Sequence, residues 1–248
     1  MKELRAGLQS RTPTDGTSNL GKETRDNRAT TESKEDSGAD QMRREQAATR
    51  SGVYSILSAS FYRPDGRALE IWRALVRLLA VSENAAPAFR EDEYSSGSET
   101  RQRLEVEYNR LFVGPGHLPC PPYESVYSKD RPKSEFGLLA GPSLTDVEKL
   151  YSKAGFFVSN SFKDYPDHIA VELEFMGHLC ERESESRDDE AEKWTDEEAG
   201  FLNDHIGRWS SSFADAILAA TTCPFYTAAA MLLKQFTLDE TSTFRREG

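Results

Sequence analysis

From Val53 onward, apolar positions recur at helical spacing almost without interruption. Val53, Ile56, Leu57 and Phe61 form one stripe, and Leu75, Leu78 and Leu79 lie in a second helix expected over about Ala68 to Val81. Residues 91–100, EDEYSSGSET, read as a loop. Leu104, Tyr108, Leu111 and Phe112 stand at i, i+4, i+7 and i+8, and their helix has to stop at Gly114-Pro115-Gly116, which cannot continue it. Ser143 to Asp146 reads as a capping box opening a helix with Val147, Leu150, Tyr151 and Ala154 inward and Gly155 at its end. Pro166-Asp167 opens another, with Ile169, Leu173, Met176 and Cys180 as its stripe. Residues 181–198 carry ten acids against three bases, which predicts a solvated helix end and loop. Thr195 to Glu198 reads as a second capping box, starting a long helix with Leu202, Ile206, Trp209, Phe213, Ile217 and Ala220 on one face. A last helix follows Pro224 through Phe225, Ala229, Leu232 and Phe236. No alternating strand pattern exceeds about four residues and there is no internal repeat, so the pattern predicts a single all-α domain of roughly seven or eight helices.

Composition sets the boundaries of that domain. Residues 1–50 hold ten apolar residues and no aromatic, all 25 aromatics lying beyond them, so this stretch is expected to be a disordered polar tail. The helical domain is expected over residues 51–240, followed by a C-terminal tail over residues 241–248. The tail is nearly neutral, with 10 basic and 9 acidic residues, which leaves 21 basic and 33 acidic residues beyond it. An acidic body of this kind argues against a nucleic-acid surface, which needs clustered Lys and Arg. It suits a basic partner, and equally a merely solvated surface.

Cys120, Cys180 and Cys223 form no CxxC pair, which fits a reducing, cytoplasmic setting. Residues 1–30 contain no apolar core of an export signal, and Arg43-Arg44 is followed by Glu45-Gln46 and not by an apolar run. The longest uncharged run, Ala216 to Leu233, is broken by Thr221-Thr222-Cys223-Pro224, so it is expected to form two buried helix segments and no membrane span.

Two segments offer chemistry. Gly114 to Asp130, GPGHLPCPPYESVYSKD, has four prolines and two glycines in its first nine residues, a loop of low conformational entropy that either bridges helical halves or forms a binding edge. Tyr123, Tyr127 and Glu124 supply rings and a carboxylate suited to a cationic, partly apolar peptide. The alternative is packing against the core, with Glu124 capping a backbone group. In the second segment, Asp167-His168-Ile169-Ala170-Val171-Glu172, the side chains of His168 and Glu172 share a helix face at i, i+4 and Asp167 stands at the helix start. These residues read as a polar pocket in which His168 tunes affinity near neutral pH, as a helix cap with a solvated Glu172, or as two ligands of a metal-dependent helical enzyme with His178 as a third. Catalysis finds little support. Ser125, His168 and Asp167 lack an elbow and a triad order, Cys120 has no nearby base, and GPGH is no phosphate cradle. Trp72, Trp209 and Phe213 sit on helical stripes and are expected in the core.

Three stretches closely resemble the TorD/DmsD/NarJ family of cytoplasmic molybdoenzyme chaperones. They are Glu107-Tyr108-Asn109-Arg110-Leu111-Phe112 running into Gly114-Pro115-Gly116, Pro121-Pro122-Tyr123-Glu124-Ser125-Val126-Tyr127, and Pro166-Asp167-His168-Ile169-Ala170-Val171-Glu172-Leu173-Glu174-Phe175-Met176. Phe201-Leu202, His205, Trp209, Phe213 and Phe225-Tyr226 are similar as well, so the resemblance covers about residues 50–238. It implies an all-α chaperone and no enzyme, without a cofactor of its own. Such a protein binds the twin-arginine leader and apo-form of a molybdopterin oxidoreductase of the DMSO or TMAO reductase type, holds it until the cofactor is inserted and delays export. It also implies a monomer or a segment-swapped dimer, and places the leader groove at Tyr123, Glu124, Tyr127, Asp167, His168 and Glu172. Because a free leader is disordered, its ordering lowers the affinity to a moderate level.

Overall fold

The computed structural model describes residues 20–81, 89–114, 118–127 and 142–247. The chain divides into Met1–Met42 and a compact unit, Arg43–Gly248. Helix α1 (Leu20–Phe61) begins in the first and enters the second, where α2 (Ala68–Ala80), α3 (Gly97–Tyr108), a one-turn α4 (Glu124–Tyr127), α5 (Pro142–Lys153), α6 (Ile169–Glu185), α7 (Asp188–Phe201), α8 (Gly207–Ala220) and α9 (Pro224–Glu247) follow. The protein is all-α. Among the described residues the extended backbone pairs only at an isolated bridge between Tyr123 and His168.

The apolar stripes do what their spacing dictates. Phe61, Phe112, Phe213 and Tyr226 meet edge to face or tilted at centroid distances of 5.4 to 6.3 Å, joining α1, the wider turn Asn109–Val113 that follows α3, α8 and α9. Such aromatic pairs add roughly 0.5–1.5 kcal/mol each beyond their area burial. Helix α6 lies deepest. Residues 167 to 173 are buried without a break, the mark of a helix start surrounded on all sides. Its close approach to α1 is set at Gly177, where an added Cβ would lie 3.5 Å from Tyr54 Cβ, and Ser51 Oγ donates to the Gly177 carbonyl at 2.9 Å. Helix α5 ends at Gly155, whose φ of 71° suits glycine. Phe156 N then donates back to Tyr151 O at 2.9 Å while the two rings pack at 5.2 Å.

Four helices are tied together by one partly buried cation. Arg50 of α1 donates to Glu183 of α6, to Glu198 of α7 at 2.6 Å and to Glu240 of α9 at 3.3 Å. Tyr54 Oη donates to the same Glu240 oxygen at 3.2 Å and Cys180 Sγ to Glu198 at 3.3 Å. Burial dominates the carboxyl groups nonetheless, raising Glu240 above the usual carboxylate range and pushing Glu198 up to about 8.

The structure moves several boundaries. Arg43, Ala47 and Arg50, expected in the polar tail, belong to the compact unit, with Ala47 fully buried. Helix α3 starts at Gly97, inside the stretch read as a loop. Helix α5 begins at Pro142, one residue before Ser143, whose side chain lies outside those described. The acidic stretch 181–198 is mostly helix. Thr195 lies inside α7 with its hydroxyl bonded to Ala191 O at 3.1 Å, and Glu198 points to Arg50, so neither serves a cap. Helix α9 runs on to Glu247 through the expected C-terminal tail. The uncharged run is two helices parted at residues 221–223, and among the described residues no helix is long and apolar enough to cross a membrane. The earlier part of the expected tail, residues 1–19, and Pro115 to His117 and Ser128 to Asp130 of the proline loop, lie outside the described residues.

Candidate functional site

The proline loop and the start of α6 are held face to face. Ile169 N donates to Pro122 O at 2.9 Å and Glu124 N to Asp167 O at 3.0 Å. This pairing brings α4 against α6. From the other side comes the junction of α7 and α8, where residues 202–206 form a wider turn with i→i+5 bonding. The turn needs glycine after it, because a Cβ on Gly207 would stand 2.4 Å from Leu202 O. It presents His205 and Trp209 to the loop and to α6.

Three carboxyl groups converge there. His205 Nδ1 lies 3.0 Å from Glu124 Oε2, Ser125 N donates to Asp167 Oδ2 at 3.0 Å, and Trp209 Nε1 donates to Glu172 Oε2 at 2.9 Å. Tyr127 stacks on Trp209 at 5.5 Å. Asp167 and Glu172 are completely buried, yet Asp167 Oδ1 and Glu172 Oε1 have no hydrogen-bond partner. Burial raises both Asp167 and Glu172 above the usual carboxylate range, Glu172 far above it, with Glu124 adding to the effect.

His168 plays another part. Its Nδ1 accepts from Ala170 N at 3.1 Å as the cap of α6, and burial lowers its pKa to about 4, so the ring is neutral. Its faces are closed by Tyr123 and Phe162, with centroids 5.5 and 5.7 Å away.

The nitrate reductase delta subunit family matches residues 68–215, a span that holds α4, α6, the wide turn and every side chain of this acid cluster. The chain belongs to this family. Curated relatives named Chaperone protein TorD include those of Photobacterium profundum (32% identical over 134 residues, 54% of this chain and 60% of the relative), Vibrio parahaemolyticus (29% over 143 residues, 56% and 63%) and Shewanella pealeana (28% over 131 residues, 52% and 55%). The chain thus spans about three fifths of the length of the relatives it matches. A solved structure described as a redox enzyme maturation protein, from Archaeoglobus fulgidus, is similar with a TM-score of 0.45 and 24% identity, covering 75% of this chain and 92% of that one.

Within this family chain, the six residues singled out by sequence are brought together, with differences in their duties. Glu124, Asp167 and Glu172 form one cluster and Tyr127 roofs it, while Tyr123 and His168 lie against each other beside it. The cap of α6 is His168 and not Asp167, and Glu172 is buried and not solvated. The metal reading loses its geometry. His168 Nδ1 is used by the cap, His178 Nε2 lies 3.3 Å from Ala154 O, and among the described residues no three His, Cys, Asp or Glu side chains converge as metal ligands. Cys120 is buried with its pKa pushed up to about 11 by desolvation, the opposite of an activated thiol. Two further members of the cluster, His205 and Trp209, carried a signal in their i, i+4 spacing on a single helix face.

Proposed function

We propose that the protein is a cytoplasmic chaperone, and no enzyme, that binds the twin-arginine signal peptide and apo-form of a molybdopterin oxidoreductase of anaerobic respiration, of the DMSO or TMAO reductase type. It assists cofactor insertion and delays export until the client has folded. The observation that carries this reading is the match to the nitrate reductase delta subunit family across the acid cluster, with relatives named as TorD chaperones. On this reading Tyr123, Glu124, Tyr127, Asp167, His168 and Glu172 form the floor beneath the leader.

The test is affinity capture of the tagged protein from its host grown without oxygen, with mass spectrometry of the retained proteins. Enrichment of a molybdopterin oxidoreductase bearing an intact leader, weakened by Glu124→Gln at unchanged melting temperature, is the expected result. Recovery of general chaperones alone, while the host makes such an enzyme, refutes the reading.

A further inference from the structure

Five of the six floor residues, the three acids among them, are buried and only Tyr127 is partly exposed, so the charges a basic peptide meets first lie elsewhere. Between the end of α5 and the segment leading into α6 runs an open groove of about 550 Å3, with Tyr151, Phe156, Phe157, Val158 and Phe162 in its lining. Phe157 is 84% exposed. Around this exposed ring the groove is also lined by Glu148, Lys163 and Asp164, so it sets an apolar side chain beside charge.

At Phe162 the groove passes into a chain of rings. Phe162 meets Tyr62 and His168 edge to face, each at 5.7 Å, and His168 meets Tyr123, which meets Tyr165. Two exposed carboxylates rest on the tyrosine hydroxyls of this chain. Tyr123 Oη donates to Asp164 at 2.8 Å and Tyr62 Oη to Glu174 at 2.5 Å. The basic side chains on the same segments are already engaged, Lys163 with Asn160 O at 2.5 Å and Arg63 with Glu105 at 3.0 Å. Exposed carboxylates beside ring faces suit a guanidinium on two counts, by fork-shaped hydrogen bonding to oxygen and by stacking on the ring.

We propose that Asp164 and Glu174, backed by Tyr62 and Tyr123, receive the basic residues of the leader, and that the groove around Phe157 receives the apolar run that follows them. This placement rests on the leader-binding reading above. It makes the buried acids a support for the binding face, and Asp164 and Glu174 its contacts.

The full chain is titrated, by fluorescence anisotropy, with three labelled synthetic peptides: two adjacent arginines followed by a leucine- and alanine-rich run, the same run led by two alanines, and the two arginines followed by serine and glycine. The first binds most tightly. Asp164→Asn with Glu174→Gln lowers its affinity by about tenfold and flattens its salt dependence, leaving the alanine-led peptide unaffected. Phe157→Ser weakens the first two peptides and spares the third. Both variants change exposed side chains, and far-UV helicity and melting temperature verify their folding. If the wild type binds the first peptide and either variant binds it equally well, the placement is overturned while the chaperone reading stands. If the wild type binds none of the three, the chaperone reading falls with it. A wild-type dimer in sedimentation that Phe157→Ser dissociates also overturns the placement, because a second copy would then be the occupant of the groove.

Discussion

Two groups of three buried carboxyl groups lie in the compact unit, and they are neutralised in different ways. Glu183, Glu198 and Glu240 surround the permanently charged guanidinium of Arg50. Among the described residues, no Lys or Arg is recorded bonded to Glu124, Asp167 or Glu172. They are met by neutral donors, Ser125 N and Trp209 Nε1, and by His205. The first group brings its counter-charge within the chain and joins four helices, which is a structural task. In the second, burial raises Asp167 and Glu172 above the usual carboxylate range. The difference teaches that burial of acids in this fold is not a mark of function by itself. What distinguishes the two clusters among the described residues is the guanidinium, since oxygens without a hydrogen-bond partner occur in both, Glu198 Oε1 in one and Asp167 Oδ1 and Glu172 Oε1 in the other.

The comparison breaks most visibly at its cation. Arg50→Met takes the guanidinium from Glu198 and Glu240, while Glu183 keeps Arg43 at 3.6 Å, and is expected to destabilise the protein by about 3–5 kcal/mol, read from urea unfolding. Adding Glu198→Gln to Arg50→Met restores part of the loss. Next is Gly207→Ala. The new Cβ clashes with Leu202 O and forces the wide turn to change, at a cost of about 2–3 kcal/mol and with an altered Trp209 fluorescence spectrum. In the other cluster Glu172→Gln keeps the shape and removes an ionisable group that burial disfavours when charged. Its stability at pH 8 is expected to equal or exceed that of the wild type, whereas Glu172→Ala costs about 2–3 kcal/mol by leaving Trp209 Nε1 without an acceptor.

The pH dependence separates the two ends of the titration range. Glu198 has a folded-state pKa of about 8 against 4.5, so its contribution is complete below about pH 4.5 and is lost as pH rises toward 8. His168 works in the other direction. Its folded-state pKa of about 4 against 6.5 gives a contribution that is complete above pH 6.5 and lost as pH falls toward 4. Stability is therefore expected to peak at mildly acidic pH. Glu198→Gln should flatten the alkaline limb and His168→Asn the acidic one, as measured by melting temperature across the range. His168→Ala loses the α6 cap, about 1 kcal/mol at neutral pH, and with it the packing of the ring against Tyr123 and Phe162.

Much of the helix pattern was legible because apolar spacing reports which face is covered: Leu104, Leu111 and Phe112, or Ile169, Leu173 and Met176, are all buried. Helix α7 was not legible, since its inward side chains include Ala191, Trp194 and Glu198. A buried glutamate reads as solvated until its partner is known, and Arg50 stands 148 residues away in the chain. The same blindness affected the site. Proximity of the proline loop to the start of α6 was expected from the resemblance, but nothing in Asp167 or Glu172 alone announces full burial. That follows from α4 and the wide turn closing over them, a tertiary effect that spacing does not encode.

The wide turn before Gly207 also acts as a change of phase in an otherwise continuous rod. Glu198 and Trp209 are eleven residues apart, about three turns of regular helix, a distance that would place both on one side. The i→i+5 turn between them rotates the downstream portion by up to about a quarter of a revolution. One length of chain thereby faces Arg50 with its first half and Glu172 with its second. A deletion of one residue in this turn would leave the helix intact and misalign it, a fault that circular dichroism would not see and Trp209 fluorescence would.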